Sequence, residues 1–275
     1  MDVLVVGAGA VGRWFGGLAD APVAFADADP ERAEAAADVL DSRSRAVALD
    51  TDDSFGLVAV TVPMDAAADA VQRHAPKAQQ AVVDFTGTME RPLRAMAEAA
   101  PARERVSFHP LFAPENAPGR IAVAESAPGP ATDRVREWLE AAGNDLVDVD
   151  AAEHDDAMAT VQGRAHAAVL SFALAADDVP EELGTPVYDA LSELAERVTG
   201  GNARVYGDIQ REYGGADEIA AAAQRLADAA AAEESSDAAT TEESSDAATT
   251  EEPAEGESSG ERSRETFAEV YDDAC

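Results

Sequence analysis

Asp2-Val3-Leu4-Val5-Val6-Gly7-Ala8-Gly9-Ala10-Val11-Gly12 is the stretch that decides the fold. Residues 3–6 form a short β-branched and apolar run, the mark of a strand buried on both faces. Gly7, Gly9 and Gly12 follow at the G-x-G-x-x-G spacing, with Val11 inside the loop. Gly7 permits the tight turn, Gly9 lets the backbone approach a pyrophosphate, and Gly12 lets the next helix pack close to the strand. The N-terminal N–H groups and the positive dipole end of that helix then point at the phosphates.

The context is what raises the triplet above a Gly-rich turn in an unrelated α/β protein. A second apolar run, 23–26, ends in Asp27, about 20 residues after Gly7, where an acid that binds ribose hydroxyls belongs. Asp27 repels a 2′-phosphate, and Asp29 adds to that field. NAD is therefore expected over NADP, with Arg32 the nearby cation on the other side of the balance.

The chain has 275 residues, enough for two domains with ample core. Its formal charge is −35, and its single lysine is Lys77. Acid spread over the whole chain, little lysine and few aromatics suit a protein in multimolar salt. There the Debye length shrinks to about 3 Å or less and carboxylate repulsion is screened. A cytoplasmic protein of an extreme halophile is expected. A chain this acidic along its whole length is not expected to bind nucleic acid. The one cysteine is Cys275, which excludes disulfides within the chain and cysteine metal sites. No apolar run approaches the ~20 residues that span a bilayer, so no membrane partner is expected.

Residues 1–150 alternate strand and helix. Strands are expected at 3–6, 23–26, 46–50, 56–62, 81–85, 105–108, 120–124 and 145–149, with helices between them. Pro63 closes the fourth strand at the edge where ligands bind in such sheets. This is the pattern of an N-terminal Rossmann domain, a doubly wound α/β sheet. Residues 151–231 lose every strand signal. One long alanine-rich helix is expected at 152–177, then helices at 186–199, 203–212 and 216–231, an all-helical domain in the layout that places a substrate between it and the first domain. Residues 232–264 contain Glu-Glu-Ser-Ser-Asp-Ala-Ala-Thr-Thr twice in tandem, a composition that cannot bury enough surface to offset ordering. They are expected to be a disordered acidic linker before a short terminal segment, 265–275.

Two places carry candidate chemistry. His109 follows the sixth expected strand, at the sheet edge where a nicotinamide would lie. A neutral imidazole there can accept a proton from a substrate hydroxyl as hydride leaves the same carbon. Taken alone, His109 is as readily a histidine that only satisfies loop backbone. On the long helix, steps of four link His154, Met158, Gln162 and His166 into a stripe. His154 and His166 lie about 18 Å apart along such a helix, too far to share a metal ion, so no metal site is expected. Polar groups in a buried alanine-rich helix need partners, which a substrate, the other domain or the interior supplies.

His109-Pro110-Leu111-Phe112, His154-Asp155, Gln162 with His166, and Arg197 nine residues before Tyr206 together resemble the ordered motifs of prephenate dehydrogenases. The similarity runs over residues 1–231. It implies NAD-dependent oxidative decarboxylation of prephenate to 4-hydroxyphenylpyruvate, in tyrosine biosynthesis, by a homodimer. It further implies that His109 is the hydrogen-bond acceptor or base for the ring hydroxyl, and that His166 and Arg197 bind substrate, Arg197 through a carboxylate. One departure stands out. The family pattern Asp-x-x-Ser-x-Lys is here Asp84-Phe85-Thr86-Gly87-Thr88-Met89. Thr86 or Thr88 would have to stand in for the serine, which leaves prephenate and arogenate both open as substrates.

Two other functions remain. Another two-domain NAD(P)-dependent dehydrogenase or reductase shares the layout. Those that depend on a lysine in the helical domain are disfavoured, because Lys77 lies in the first domain. A nucleotide-sensing regulator without turnover is favoured by the missing serine and opposed by the set His109, His166 and Arg197.

Overall fold

The computed structural model describes residues 1–40, 43–177, 179–201, 203–243 and 270, and for 181 and 233–243 the backbone only. The first half builds one eight-stranded sheet. Its strands are β1 (Val3–Val6), β2 (Val23–Ala26), β3 (Ser44–Ala46), β4 (Phe55–Val60), β5 (Ala78–Asp84), β6 (Glu104–Pro110), β7 (Arg120–Ala127) and β8 (Asp145–Asp148). They lie in the order β3-β2-β1-β4-β5-β6-β7-β8. All neighbours are parallel except β6 and β7, which run antiparallel. The chain is thus a doubly wound α/β sheet, as the glycine loop and the repeated βα units predict.

Alternation along the strands explains the two faces. Val3, Val5, Phe25, Leu57, Val83 and Phe108 point one way, towards Phe15 of α1 (Ala10–Leu18), Ala33 of α2 (Pro30–Val39) and Leu139 of α5 (Pro130–Ala141). Leu4, Val6, Val58, Val60 and Val82 point the other way, towards Val71 of α3 (Met64–His74) and Met96 of α4 (Glu90–Ala99). Strands covered by helices on both sides must be apolar at every position, and β1 and β4 are.

Two boundaries differ from expectation with consequences for the site. β4 stops at Val60, because Thr61 turns its hydroxyl back to donate to the Gly7 carbonyl (2.6 Å) and the Val6 carbonyl (3.1 Å). β6 continues to Pro110, so His109 sits within a strand, opposite Ala122 of β7, instead of in the loop beyond it.

The helical part is α6 (Ala151–Met158), α7 (Ala165–Ala175), α8 (Pro186–Thr199), α9 (Ala203–Tyr213) and α10 (Ala216–Glu243). The single helix expected over 152–177 is interrupted by a π-helical turn, Ala159–Arg164. Such a turn inserts a residue into the helical repeat and so rotates the next helix, α7, about the common axis. Contacts divide the chain into two compact units, 1–214 and 215–275, and the candidate site residues all lie in the first. In the second, α10 continues to Glu243, into the stretch expected as linker. The remaining linker residues, 244–264, and the terminal segment save Val270 lie outside the described residues. No helix among the described residues is long and apolar enough to cross a membrane.

Gly12 shows how tightly α1 meets β1. A Cβ there would stand 2.0 Å from the Gly7 carbonyl oxygen and 2.7 Å from Thr61 Oγ1. Both neighbours are tied down, so neither can yield. Gly12→Ala should therefore lower Tm by on the order of 5 °C or more, from about 1–3 kcal/mol of overpacking. Thermal unfolding by circular dichroism checks this.

Candidate active site

The glycine loop is shaped from both sides. Gly7 has φ +104°, and a Cβ would meet the Thr61 carbonyl oxygen at 2.7 Å, so only glycine fits. On the other side Asp27 Oδ2 accepts from the Ala8 N–H at 2.7 Å, and Oδ1 from the Asp29 N–H at 2.9 Å. Asp27 thus holds the loop and keeps one lone pair per oxygen for a ligand. Around Gly9, a Cβ would meet nothing within 4 Å, and α1 starts there with no capping side chain and no acid in its first turn. This is open, electropositive backbone of the kind that receives phosphates. Val11 packs partly buried against the core, and Pro63 begins α3 beyond β4. Arg32 is paired with Asp29 at 3.5 Å.

Across the same sheet edge stands His109, 6% exposed. Its Nδ1 lies 2.9 Å from His154 Nε2, and His154 Nδ1 lies 2.8 Å from Asp155 Oδ1. Asp155 also accepts from the N–H groups of Met89 (3.0 Å) and Glu90 (3.1 Å), at the start of α4. On the opposite side of the His109 ring, Gln162 Nε2 is 3.3 Å from His109 Nε2. A carboxylate only accepts, so with two neutral rings the proton arrangement follows by elimination. His154 donates from Nδ1 to Asp155 and accepts at Nε2. His109 donates to it from Nδ1 and accepts at Nε2 from the Gln162 amide.

The electrostatics agree. Burial, reinforced by the neighbouring His154, pulls His109 down to about 3 against the pull of Asp155, so it is a neutral acceptor at physiological pH. Burial pushes Asp155 up, but its hydrogen bonds from His154, Glu90 and Met89 outweigh this and hold it below the usual carboxylate value.

Asp84 lies at the end of β5, opposite Ser107 of β6, and is fully buried. Its Oδ1 accepts from the Thr86 hydroxyl (2.6 Å) and N–H (3.1 Å), and Oδ2 has no partner among the described residues. Burial raises it to about 7 despite those hydrogen bonds. The Thr86 hydroxyl also contacts the Thr88 carbonyl at 3.0 Å, so Thr86 is committed to the turn itself. Thr88 is buried beside it. Gly87 is held from α9, where Tyr213 donates its hydroxyl to the Gly87 carbonyl.

The structure therefore brings His109, His154 and Gln162 together, with His154 behind His109 and Gln162 in front. The π-helical turn carries Gln162, and Gly163 within it admits the backbone of Tyr213 and Gly214, where a Cβ would meet the Gly214 carbonyl at 2.8 Å. His166, one turn on, stacks edge-to-face with Tyr206 at 5.0 Å and is lowered by burial, with Nδ1 unpartnered among the described residues. Arg197 stands apart. Its side chain is 68% exposed and pairs with Glu193 at 2.9 Å. No periodicity in the sequence points to Thr61, Asp84 or Tyr213. The sequence signal for Asp155 is its place beside His154 in the motif.

No family model matches the chain. Among curated proteins it is 32% identical over 241 residues, 81% of each chain, to the 4-amino-4-deoxyprephenate dehydrogenase of Streptomyces pristinaespiralis. Among solved structures it is similar to prephenate dehydrogenase from Aquifex aeolicus in complex with hydroxyphenyl propionate and NAD+. That match has a TM-score of 0.62 and 15% identity, and covers 89% of this chain and 95% of the other. Synechocystis arogenate dehydrogenase matches with a TM-score of 0.58 and 15% identity, over 89% and 97%. At these identities the structural matches speak for the fold.

Asp84 gives a pH prediction. Its folded pKa, about 7, lies above the ordinary 3.8, so between those values the folded state holds a proton that the unfolded state has lost. Its contribution to stability is full below about 4 and falls as pH rises towards 7. Asp84→Asn should remove that fall, seen as a shallower decline of Tm with pH than in the parent between pH 4 and 7.

Proposed function

The chain belongs to the prephenate and arogenate dehydrogenase family, and on that premise we propose that it catalyses NAD-dependent oxidative decarboxylation of prephenate, with arogenate as the alternative substrate. The observation that carries this is Nε2 of His109, a buried neutral acceptor that faces only the Gln162 amide among the contacts described, at the carboxyl edge of the sheet that bears the glycine loop. Gly7, Gly9, Val11, Gly12, Asp27 and Pro63 line the dinucleotide site. Asp27, with Asp29 beside it, favours NAD over NADP.

When bound, the nicotinamide supplies the hydride acceptor. The protein's own task is proton handling and alignment. The substrate X–H displaces the Gln162 amide from His109 Nε2 and donates to it. Loss of that proton builds electron density at the ring carbon from which hydride departs. Loss of the ring carboxylate as CO₂ then leaves an aromatic ring, and this supplies the driving force. His166 and Arg197 are assigned to the substrate carboxylates, where an arginine fork holds two oxygens at once. Arg197 sits on an exposed helix end, so this assignment draws on a homodimer through the helical part. Exposed Leu174, Val187 and Leu194 of α7 and α8 support such a pairing.

One observation favours a second substrate. Gln162 Oε1 is buried with no partner among the described residues, a state that costs about 1–3 kcal/mol unless a ligand fills it. A hydroxyl has one hydrogen, which His109 takes. An amino group on the same carbon offers a second hydrogen to Gln162 Oε1, as in the compound named for the Streptomyces relative.

NADH formation is measured in about 2–4 M salt, to screen the acidic chain, with prephenate, arogenate and 4-amino-4-deoxyprephenate in turn. Turnover of at least one is expected, and inertness towards all three would refute the reaction. With a reactive substrate, His109→Asn should reduce kcat by about 10²–10⁴-fold while NAD binding is retained. Arg197→Ala should chiefly raise KM. Gly9→Ala should keep Tm unchanged, since the methyl meets no protein atom, and weaken NAD binding by roughly tenfold or more.

A further inference from the structure

The proton taken from the substrate needs a resting place, and His109 is a poor one. Its ring is buried, and the carboxylate of the group, Asp155, is one histidine further on. His154, by contrast, has that carboxylate in contact at 2.8 Å, and its own Nε2 faces the Nδ1 proton of His109.

We propose that His154, backed by Asp155, receives the substrate's proton charge through His109, so that His154 and Asp155 are positioning residues of the reaction above. This rests on the dehydrogenase reading. As the substrate X–H bond breaks, its proton bonds to His109 Nε2. The proton on His109 Nδ1 passes to His154 Nε2. His109 ends neutral, in the tautomer protonated at Nε2, and His154 ends as an imidazolium whose Nδ1–H stays on Asp155. The electron pair of the departing C–H bond leaves with the hydride to NAD⁺. Once CO₂ has left its electron pair in the ring, X takes a proton back from His109 Nε2 and His109 takes one back at Nδ1 from His154, so the cycle removes a hydride and CO₂ with no net proton and both rings return to their starting forms.

Placing the cation on His154 turns two neutral rings and a lone carboxylate into a neutral ring and an ion pair. Asp84 on β5 and Tyr213 on α9 also lie in the field of Asp155, and burial raises the pKa of both, so Asp155, in direct contact, is the nearest anion for a charged His154. The His154 side chain is 2% exposed, which shelters the proton from water until X takes it back.

Two experiments on the full chain decide the matter. The protein has four histidines, so ¹⁵N-histidine NMR can resolve each ring. Free protein should show the His109 proton on Nδ1, facing His154, and a His154 proton on Nδ1, facing Asp155. A His109 protonated at Nε2 would overturn the relay. Single-turnover NADH formation in H₂O/D₂O mixtures should give a bowed dependence on deuterium fraction, two protons moving together. A straight line, or no solvent effect, with a substrate that reacts would also overturn it. A protein inert to every ring substrate would instead refute the reaction itself. Asp155→Asn should slow the single-turnover rate by on the order of 10²-fold with KM and NAD affinity within about twofold, and Asp155→Glu should regain part of the loss. Equal rates in the parent and Asp155→Asn would count against the proposal.

Discussion

One carboxylate organises the site. Asp155 takes three donors, the His154 ring and two backbone N–H groups at the start of α4. Because it can only accept, it fixes the proton on His154, hence on His109, hence the lone pair that faces Gln162. The same contacts join α6 to the turn after β5. Chemistry and architecture therefore share an anchor. The Tyr213 bond to Gly87 and the Arg91–Glu212 pair at 3.0 Å repeat the tie from α9.

A sheet covered on both faces writes itself plainly into sequence. The Val3–Val6 run, the glycines and Asp27 made the dinucleotide fold legible, and all eight strands were expected near their places. The π-helical turn was not legible, because a step of four residues suits an uninterrupted helix as well as one with an inserted residue, and only contact with α9 selects between them. Nor could the pattern show that Thr61 leaves the sheet to hold Gly7, or that Asp84 is sealed from water. Both depend on which residues meet across strands far apart in the chain. His109 was placed one residue beyond its strand, because Pro110 reads as a terminator, yet β7 pairs antiparallel with β6 and accommodates it at the strand's last position.

Acidity and function pull against each other in this chain. A molecule of net charge −35 has, in the proposed reaction, to admit a dinucleotide and a substrate with two carboxylates. The first turn of α1 is free of acids, and His109 is neutral in the free protein. The negative charge is kept off the surfaces where anions would land, and what remains is long-range repulsion that salt screens.

The doubly tied glycine loop has a consequence for time as well as for shape. Thr61 and Asp27 hold its backbone through the protein's own hydrogen bonds. A dinucleotide therefore meets a finished surface, and capture waits on approach through the acidic field more than on rearrangement. Ionic strength then acts on how often the molecule is found, and little on how long it is kept.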